Sequence, residues 1–377
     1  TALARQQGYA AVRKALEEAA GATTGSVSKS GEFGVFATTC VGLSDQEPAM
    51  LVDDVVFTRL TPAKVQSVVE QLKAGKSAAE IANPAQHPAN TQAYVDALVH
   101  GEVQQADAVY FAPEEDLAAP VEVLKAMLQK TPQALLNEIK DAGILGRGGA
   151  GFPAGYKWQL VRDTPAAHKY IICNADEGEP GTFKDRVLMT RKPELVFLGM
   201  VCAAWVVGAQ LGVYYLRYEY RYIQAYLEAV LQRMRSSNCL GKSIVGKEGF
   251  DFDIRIQLGA GAYVCGDESA LLESMEGRRG SPRVKPPLPA VKGYLGHPTV
   301  VNNVETYAAA ARVVEKGVQW FKNMGTERSS GTRLISVSGD CARPGVYEVQ
   351  WGITLRTLLD LVGAQDAVAV QVSGASG

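Results

Sequence analysis

Gly146-Arg147-Gly148-Gly149-Ala150-Gly151-Phe152-Pro153 is a glycine-rich run, and a second unusual run, Asn174-Ala175-Asp176-Glu177-Gly178-Glu179-Pro180-Gly181-Thr182-Phe183-Lys184-Asp185-Arg186, follows it closely. A glycine-rich loop wraps backbone amides around a phosphate. An acidic loop that follows a strand can hold sugar hydroxyls. Together the runs predict a nucleotide-like cofactor, bound at its phosphate by the first loop and at its ribityl or ribose hydroxyls by the second.

The glycine-rich run also satisfies G-x-G-x-x-G, the dinucleotide-binding pattern, which requires a strand before it and a helix after it. The preceding residues 131–140 instead start with Thr131 as a helix N-cap and Pro132 at the first helical position. A helix therefore leads into the loop, and the pattern alone is misleading. A plain turn is the alternative, but four glycines in six residues followed by Phe-Pro exceed what a turn needs and favour phosphate contact.

Composition sets broad limits on function. The chain has 377 residues, 47% of them apolar and 21% charged, and a formal net charge of -2, which is ordinary for a soluble protein of two or three domains. This charge gives no reason to propose nucleic acid or an anionic membrane as a partner. The cysteines lack a C-x-x-C pair, which indicates reduced thiols in the cytoplasm and no metal site; they are Cys40, Cys173, Cys202, Cys239, Cys265 and Cys341.

The most apolar stretch, residues 195–216, is long enough to be tested as a membrane span. Gly208 and Gly212 interrupt it, so we predict a buried helix over 193–210, a glycine stop and a strand over 213–217, with no membrane insertion. The sequence has no initiator methionine or signal peptide and stops just after the strand-like residues 368–372. We therefore expect a fragment of a longer chain.

The order of predicted elements indicates an α/β protein. Residues 1–78 should form a small unit with a helix over 9–20, strands over 32–37 and 50–58, and a helix that begins after Thr61. Residues 79–118 are expected to be a linker. A larger α/β domain over 119–330 should contain strands at 169–173, 212–217 and 252–257. Residues 331–377 should form a small mixed β module, with strands at 333–338 and 346–349 and a helix over 354–363.

The acidic run has two alternatives to ligand binding. Asp176, Glu177, Glu179 and Asp185 are four carboxylates in ten residues, which also suits a solvated loop or a divalent cation. The run contains Pro-Gly, which fixes its backbone, and it begins with an asparagine whose amide suits a ring or carboxamide edge. These features favour ligand hydroxyls and a ring edge.

Three further runs carry polar groups that are compatible with the same site. Residues 259–270 follow the predicted strand at 252–257 and form a glycine loop that leads into a helix, although acids there are more commonly those of a first helical turn. The basic residues Arg278, Arg279, Arg283 and Lys285 precede stiff prolines, so they form either a solvated face or a clamp for pyrophosphate. Asn302 and Asn303 precede a helix, where the second is expected as an N-cap. The four histidines are isolated, so no catalytic triad is indicated.

At these residues the chain resembles the NADH-binding flavoprotein subunits of respiratory complex I and related enzymes. With its fused amino-terminal unit it is most similar to the diaphorase flavoprotein subunits of NAD-reducing soluble hydrogenases. The resemblance covers nearly the whole chain. It implies a truncated thioredoxin-like unit, then a Rossmann-like domain that binds FMN and NAD, then a truncated β-grasp-like module.

The resemblance also implies roles for individual residues. The FMN phosphate would be held by Gly146, Arg147, Gly148, Gly149, Gly151 and Lys157. The ribityl chain and flavin ring would be contacted by Asn174, Asp176, Glu177, Gly266, Asp267, Glu268, Asn302 and Asn303. The NAD site would be lined by Phe152, Glu179, Tyr263 and Lys285, with Phe152 as a stacking platform. Glu179 and Lys285 would orient the hydride transfer without any covalent role.

The sequence departs from the family pattern at three places. Leu160 and Leu288 stand where family members often have aromatic residues, which implies a differently shaped adenine site. Cys40 is followed by Ser44 instead of a second cysteine, and the first ligand pair of the [2Fe-2S] cluster is absent. A hydroxyl cannot replace a thiolate as a cluster ligand, so the amino-terminal unit is expected to be structural. The family's [4Fe-4S] segment is expected only beyond Gly377.

The resemblance implies an oxidoreductase that passes a hydride between NAD(H) and FMN and single electrons to an iron–sulfur chain. Its partners would be an iron–sulfur electron-transfer subunit and hydrogenase subunits in a hetero-oligomer, which would couple H2 oxidation to NAD+ reduction. An equivalent subunit of complex I or of an NAD-dependent formate dehydrogenase is an alternative. A non-catalytic nucleotide-binding scaffold is an alternative of a different class.

Overall fold

The structure, a computed structural model, describes residues 2–107 and 109–374. Within them the α-helices are α1 (Ala2–Gln6), α2 (Tyr9–Ala20), α3 (Pro62–Lys73), α4 (Ala78–Ala82), α5 (Gln92–Leu98), α6 (Pro120–Met127), α7 (Pro132–Asp141), α8 (Ala154–Asp163), α9 (Lys184–Arg191), α10 (Pro193–Val207), α11 (Gln224–Ser236), α12 (Glu268–Met275), α13 (Pro289–Lys292), α14 (Val304–Lys316), α15 (Val318–Lys322) and α16 (Leu355–Val362).

The β-strands are β1 (Ser26–Val27), β2 (Gly34–Val35), β3 (Met50–Val52), β4 (Val55–Phe57), β5 (Val103–Gln105), β6 (Tyr170–Ala175), β7 (Leu211–Leu216), β8 (Asp253–Leu258), β9 (Thr299–Asn303), β10 (Gly325–Thr326), β11 (Ser329–Ser330), β12 (Thr332–Val337) and β13 (Gly345–Gln350). Short 3-10 helices cover Glu114–Asp116, Tyr218–Ile223, Ile244–Gly246, Tyr263–Gly266 and Tyr294–Gly296.

A four-stranded parallel sheet in the order β8-β7-β6-β9 forms the centre of the larger α/β region. Three of its strands, β6, β7 and β8, are predicted correctly apart from one or two residues at their ends. The fourth, β9, was not predicted, because its apolar run is only Val300-Val301 and its last two residues are asparagines. Since β9 pairs with β6, it brings Asn302 and Asn303 level with Cys173 and Asn174.

Helices cover both faces of this sheet. α10 and α14 pack on one face, where Ile171 and Cys173 of β6 belong to the main core. α12 covers the other face, where Leu271 and Leu272 pack with Ile172. α10 and α14 approach so closely that a Cβ atom at Gly199 would lie 2.0 Å from the Tyr307 carbonyl oxygen. This position therefore requires glycine for packing.

The apolar stretch at 195–216 folds as predicted. α10 is almost wholly buried and ends at Gly208, which has φ 77°, and β7 follows from Leu211. Such a helix is apolar all round because it lies inside the protein. No helix among residues 2–107 and 109–374 is long and apolar enough to cross a membrane.

The amino-terminal unit departs from the prediction in its strands. α2 and α3 form as predicted, with Thr61 capping α3. The strand predicted over 50–58 is wrong as a single element, because β3 and β4 form a hairpin that turns at Asp53 and Asp54, both with positive φ. Aspartate tolerates the left-handed conformation that such a tight turn requires. The strand predicted over 32–37 is reduced to β2, which pairs with β1.

The carboxyl-terminal module has a sheet in the order β12-β13-β5. Its strands β12 and β13 and its helix α16 occur where they are predicted. β5 comes from the segment that was expected to be a linker and pairs in parallel with β13. The strand-like residues 368–372 do not form a strand, and Val368 is fully exposed, so the prediction was wrong there.

Glu348 on β13 fixes the former linker segment against this module. Its side chain is fully buried and accepts hydrogen bonds from the backbone amides of Val109, Tyr110 and Phe111, each at 2.9 Å. The Thr332 hydroxyl donates a further bond at 2.8 Å. One carboxylate thus satisfies several backbone donors that would otherwise be buried without a partner.

We predict that Glu348→Ala lowers the free energy of unfolding by about 3–5 kcal/mol, because it leaves these buried donors unpaired. Urea unfolding followed by circular dichroism measures the change. Gln350→Ala, at an exposed position of the same strand, is the matched control and should change stability by less than about 0.5 kcal/mol. Equal losses in the two variants would contradict the role assigned to Glu348.

Candidate functional site

The predicted site residues converge at the carboxyl ends of the parallel strands. The Asn174 side-chain amide at the end of β6 donates to the Gly266 carbonyl oxygen at 2.8 Å, which joins the acidic loop to the loop after β8. The glycine-rich loop reaches the end of β9, where a Cβ atom at Gly148 would lie 3.4 Å from Asn303 Cβ. Ligands of open α/β sheets bind at this edge, because loops from several strands meet there.

The glycine-rich loop lies between two helices, as predicted. α7 precedes it, α8 follows it, and the amide of Gly146 donates to the Phe152 carbonyl oxygen at 3.0 Å to close the loop. Gly149 and Gly151 have φ of 125° and 65°, a backbone that other residues rarely adopt. A Cβ atom at either glycine would meet no described atom within 4 Å. The glycines thus serve the backbone conformation of an open loop and not close packing.

The side chain of Arg147 leaves this loop. Its guanidinium is buried against the carboxyl-terminal module, where Nη2 donates to the Thr332 carbonyl oxygen at 3.0 Å and the group lies 4.9 Å from the centre of the Trp351 ring. Its backbone amide donates to the Thr306 hydroxyl at 3.0 Å. The expectation that Arg147 holds a phosphate is therefore not met by its side chain, which contributes to packing.

Asp176 is buried, and its Oδ2 atom has no hydrogen-bond partner among the described residues. Burial raises the pKa of this carboxyl to about 7, although the nearby Arg217 opposes the shift. A buried polar atom without a partner is unusual in a folded protein. It marks Asp176 as a group that is available to a bound hydroxyl or amide.

Glu177 is buried too, but its carboxylate is used within the protein. Oε1 accepts from the Asp185 amide at 2.9 Å, and Oε2 accepts from the Arg186 amide at 3.1 Å and from the Tyr220 hydroxyl at 3.0 Å. These bonds hold the start of α9. Burial and the neighbouring Asp185 raise the pKa of Glu177 to about 7. The side chain of Glu177 therefore positions the acidic loop, and its contact with the ribityl chain stays a prediction.

The two asparagines of β9 have different partners. Asn303 caps α14 as predicted, accepting from the Glu305 amide at 3.0 Å, and its amide nitrogen donates to Asp185 at 2.6 Å. The Asn302 amide, oriented to satisfy both polar atoms, accepts from Trp158 Nε1 at 2.9 Å. Both residues line the sheet edge, although these side-chain bonds are within the protein.

Glu268 links the two lysines of the predicted site. Its carboxylate lies 3.1 Å from Lys157 Nζ and 3.1 Å from Lys285 Nζ. Burial opposes ionisation, but the two lysines outweigh it and lower the pKa of Glu268. Lys285 Nζ also lies 4.0 Å from the Asp267 carboxylate, so two lysines face two carboxylates here. The ammonium groups are the part of this cluster that suits phosphate groups.

Asp267 is the N-cap residue of α12, which is a common role for an acidic residue at a helix start. Its carboxylate caps α12, accepting from the amides of Ser269 and Ala270 at 2.8 and 3.1 Å. Although burial opposes the shift, these hydrogen bonds and that of the Ser269 hydroxyl lower the pKa of Asp267. Asp267 thus stays charged at the helix N-terminus.

The basic strip is largely neutralised. Arg283 pairs with Glu273 at 2.5 Å and with Glu276 at 2.9 Å, and Arg278 lies 3.6 Å from the Glu273 carboxylate. These two arginines thus pair with carboxylates of α12 and the turn after it, and the clamp for pyrophosphate stays a prediction. Lys285, in contrast, faces the site through Glu268.

An apolar groove of about 430 Å³ opens beside the glycine-rich loop. It is lined by Phe152, Tyr156 and Leu160, whose side chains are each about half exposed, and by Pro153, Gln159 and Asp163. Lys140 Nζ lies 4.7 Å from the centre of the Tyr156 ring. Sequence reasoning missed Tyr156, because a single exposed tyrosine on a helix carries no pattern.

Glu179 and Tyr263 meet directly. The Tyr263 hydroxyl donates to Glu179 at 2.6 Å, and a Cβ atom at Gly178 would lie 3.3 Å from the Tyr263 ring. The loops after β6 and β8 thus touch a second time, outside the Asn174–Gly266 bond. This brings Glu179 and Tyr263 together at the same sheet edge as Asp176.

A larger open groove of about 810 Å³ lies on α11 and is lined by none of the predicted site residues.

The six cysteines are free thiols. Among the described residues, no group of three or more His, Cys, Asp or Glu side chains could hold a metal ion.

Two known families match separate parts of the chain. Residues 139–312 match the family described as the Nuo51 FMN-binding domain. Residues 1–73 match the family described as thioredoxin-like [2Fe-2S] ferredoxin. The first match contains the central sheet and all of the predicted site residues.

Two curated relatives and one solved structure are similar to the chain. It is 57% identical over 375 residues to the NAD-reducing hydrogenase HoxS subunit alpha of Cupriavidus necator, covering 100% of this chain and 62% of the relative. It is 44% identical over 237 residues to an NADH-quinone oxidoreductase subunit of Escherichia coli, covering 63% of this chain and 53% of the relative. A crystal structure of an NAD+-reducing [NiFe]-hydrogenase in the H2-reduced state superposes with a TM-score of 0.88 at 40% identity, covering 100% of this chain and 62% of that chain. The chain thus spans less than two thirds of the length of each of these proteins.

We predict that Asp176→Asn stabilises the flavin-free protein at alkaline pH. A raised carboxyl pKa means that the unfolded chain ionises from about pH 4 upward, whereas the folded chain resists ionisation until about pH 7. The free energy that this buried carboxyl costs the folded state therefore grows between about pH 4 and about pH 7 and reaches its full value above about pH 7. The gain from asparagine should therefore be about 1–3 kcal/mol larger at pH 8 than at pH 5 in urea unfolding. A gain that is the same at both pH values would contradict the role of the charge.

Proposed function

We propose that this chain, which belongs to the family of the Nuo51 FMN-binding domain, is an NAD(H):FMN oxidoreductase module of the diaphorase type. The observation that carries the proposal is the convergence of the open glycine loop and Asp176 at one sheet edge, with the exposed Phe152 groove beside the glycine loop. The Asp176 Oδ2 atom has no hydrogen-bond partner among the described residues. These parts suit the phosphate, the ribityl hydroxyls and a second flat ring, respectively.

The residues present fit FMN. Gly146, Gly148, Gly149 and Gly151 would offer the loop backbone to the phosphate, and Lys157 would add positive charge from the next helix. Asp176 and Asn174 would contact the ribityl chain and ring edge. Gly266 adds room at this edge, since a Cβ there would lie 3.5 Å from the Asp176 carbonyl oxygen. FMN, when bound, would accept an electron pair as hydride and release electrons singly.

The chain's own residues would align the dinucleotide. The Phe152 ring would support a flat ring, while Lys285, held by Glu268, would lie near the phosphates. Glu179, held by Tyr263, would orient the nicotinamide half. No side chain is required as a nucleophile or proton carrier. The protein's contribution is to bring two rings into contact and to exclude water.

We further propose that the physiological reaction couples H2 oxidation to NAD+ reduction in the cytoplasm. The similarity to the hydrogenase subunit extends over 100% of this chain, whereas that to the NADH-quinone oxidoreductase subunit covers 63%. The amino-terminal unit is thus shared with the hydrogenase relative, which favours this assembly over complex I. An iron–sulfur subunit and hydrogenase subunits would be the partners.

An anaerobic titration of the purified flavin-loaded protein with NADH, and then with NADPH, tests the proposed function. About one NADH per flavin should bleach the flavin absorbance, because hydride transfer moves two electrons. Failure to retain FMN after reconstitution would favour a nucleotide-binding scaffold instead. Bound flavin that NADH does not bleach would refute the oxidoreductase activity.

Tyr156 provides a prediction about the adenosine half of NADH. Tyr156→Ala should raise KM for NADH about fivefold or more, because stacking of a base on an aromatic ring contributes about 1–3 kcal/mol. KM for reduced nicotinamide mononucleotide, which lacks the adenosine, should not change. Tyr156→Phe keeps the ring and is the matched control. An equal rise with both substrates would show that the ring does not contact the adenosine half.

A further inference from the structure

The amino-terminal unit contacts the acidic loop through the segment Cys40–Asp45, where a second cluster-ligand cysteine would be expected. Cys40 and Ser44 are both buried, and their side chains lie 3.6 Å apart. The Gly42 amide donates to Cys40 Sγ at 3.4 Å. Cys40 is the one cysteine among residues 1–78, whereas a [2Fe-2S] cluster takes four side-chain ligands. Residues 1–78 by themselves therefore do not supply a cluster site that would explain this segment.

Two buried arginines join this segment to the acidic loop. Arg217 donates from one guanidinium nitrogen to the Glu177 carbonyl oxygen at 2.8 Å and from another to the Cys40 carbonyl oxygen. Arg186 donates from Nε to the Gly42 carbonyl oxygen at 3.1 Å and from Nη2 to both carboxylate oxygens of Asp45 at 2.9 and 3.1 Å. Hydrogen bonds between ionised partners are stronger than those between neutral ones.

A third contact runs through Tyr220. Gly42 has φ 74°, and a Cβ atom there would lie 2.0 Å from the Tyr220 hydroxyl, so only glycine lets the tyrosine approach. The same hydroxyl donates to the Glu177 carboxylate at 3.0 Å. All three contacts therefore end at Glu177 or at Arg186. The backbone amide of Arg186 in turn donates a hydrogen bond to the Glu177 carboxylate. Asp176 precedes Glu177 in the chain, and Glu179 follows two residues later.

We propose that the Cys40–Asp45 segment is a positioning element for the cofactor loop. Arg186, Arg217 and Tyr220 connect this segment to Glu177 by hydrogen bonds and close packing. Glu177 in turn fixes the backbone that carries Asp176 and Glu179. The inference rests on the proposed function for the identity of the ligand, FMN. It assigns to the amino-terminal unit a direct effect on flavin binding, beyond general stability of the fold.

Two gentle substitutions test this inference, each with a matched control. Tyr220→Phe removes one hydroxyl that donates to Glu177, and Tyr222→Phe removes a buried hydroxyl that has no hydrogen-bond partner among the described residues. Asp45→Asn weakens the buried pair with Arg186, and Asp54→Asn weakens the exposed pair between the same unit and Arg221 at 2.6 Å.

The first readout is amide hydrogen exchange at residues 177–186 in the flavin-free protein, which is independent of activity. We expect Tyr220→Phe and Asp45→Asn to speed exchange there at least tenfold, and the controls to change it less than twofold. The second readout is the dissociation constant of FMN, which should rise about tenfold in the two test variants only. The two-electron midpoint potential of bound flavin should also move, by about 30 mV for a tenfold difference between its oxidised and reduced affinities.

Unchanged exchange and FMN affinity in both test variants would overturn the inference. Equal changes in test and control variants would also overturn it, because they would show only a general loss of stability. A parent protein that fails to bind FMN would refute the proposed function instead. In that case the exchange measurement alone still decides whether Cys40–Asp45 positions the loop.

Discussion

The buried carboxylate of Glu177 is the contact on which the candidate site depends. It accepts hydrogen bonds from two backbone amides at the start of α9, those of Asp185 and Arg186, and from the Tyr220 hydroxyl in the segment after β7. A buried carboxylate is costly unless donors surround it, and here those donors come from separate parts of the fold. The loop can therefore keep the Asp176 Oδ2 atom buried, without a hydrogen-bond partner among the described residues, in position for a ligand.

The sheet explains why the polar loops meet. Parallel pairing places the carboxyl ends of β6, β8 and β9 at one edge. Asp176 and Gly266 lie after β6 and β8, and Asn302 and Asn303 are the last two residues of β9. The packing of α10 against α14 at Gly199 brings α14 close behind the sheet, and the start of α14 lies at that edge. The packing of α10 against α14 on one face of the sheet thus contributes to the geometry of the site at the sheet edge.

Charge is distributed unevenly around the site. Lys157 and Lys285 face Glu268 on one side, while Asp176 and Glu177 are buried on the other, where desolvation raises both pKa values. A cofactor with an anionic phosphate and neutral hydroxyls matches this asymmetry. The arginines that approach the acidic loop are already paired with backbone oxygens and carboxylates, so they support the loop and leave the ligand face open.

The sequence by itself determined the features that depend on local pattern: the glycine loop between two helices, the largely apolar α10, the helix caps at Thr61 and Asn303, and three strands of the central sheet. Tertiary structure alone decided that the Arg147 side chain packs on the carboxyl-terminal module and that the Glu177 carboxylate accepts hydrogen bonds from within the protein. It also decided that β9 and β5 are strands and that Tyr156 lines the groove. The physical reason is separation along the chain, since Arg186 and Gly42 are 144 residues apart and Arg217 and Cys40 are 177 apart. Local periodicity reports which face of an element is buried, whereas a side chain's partner is set by which elements pack together.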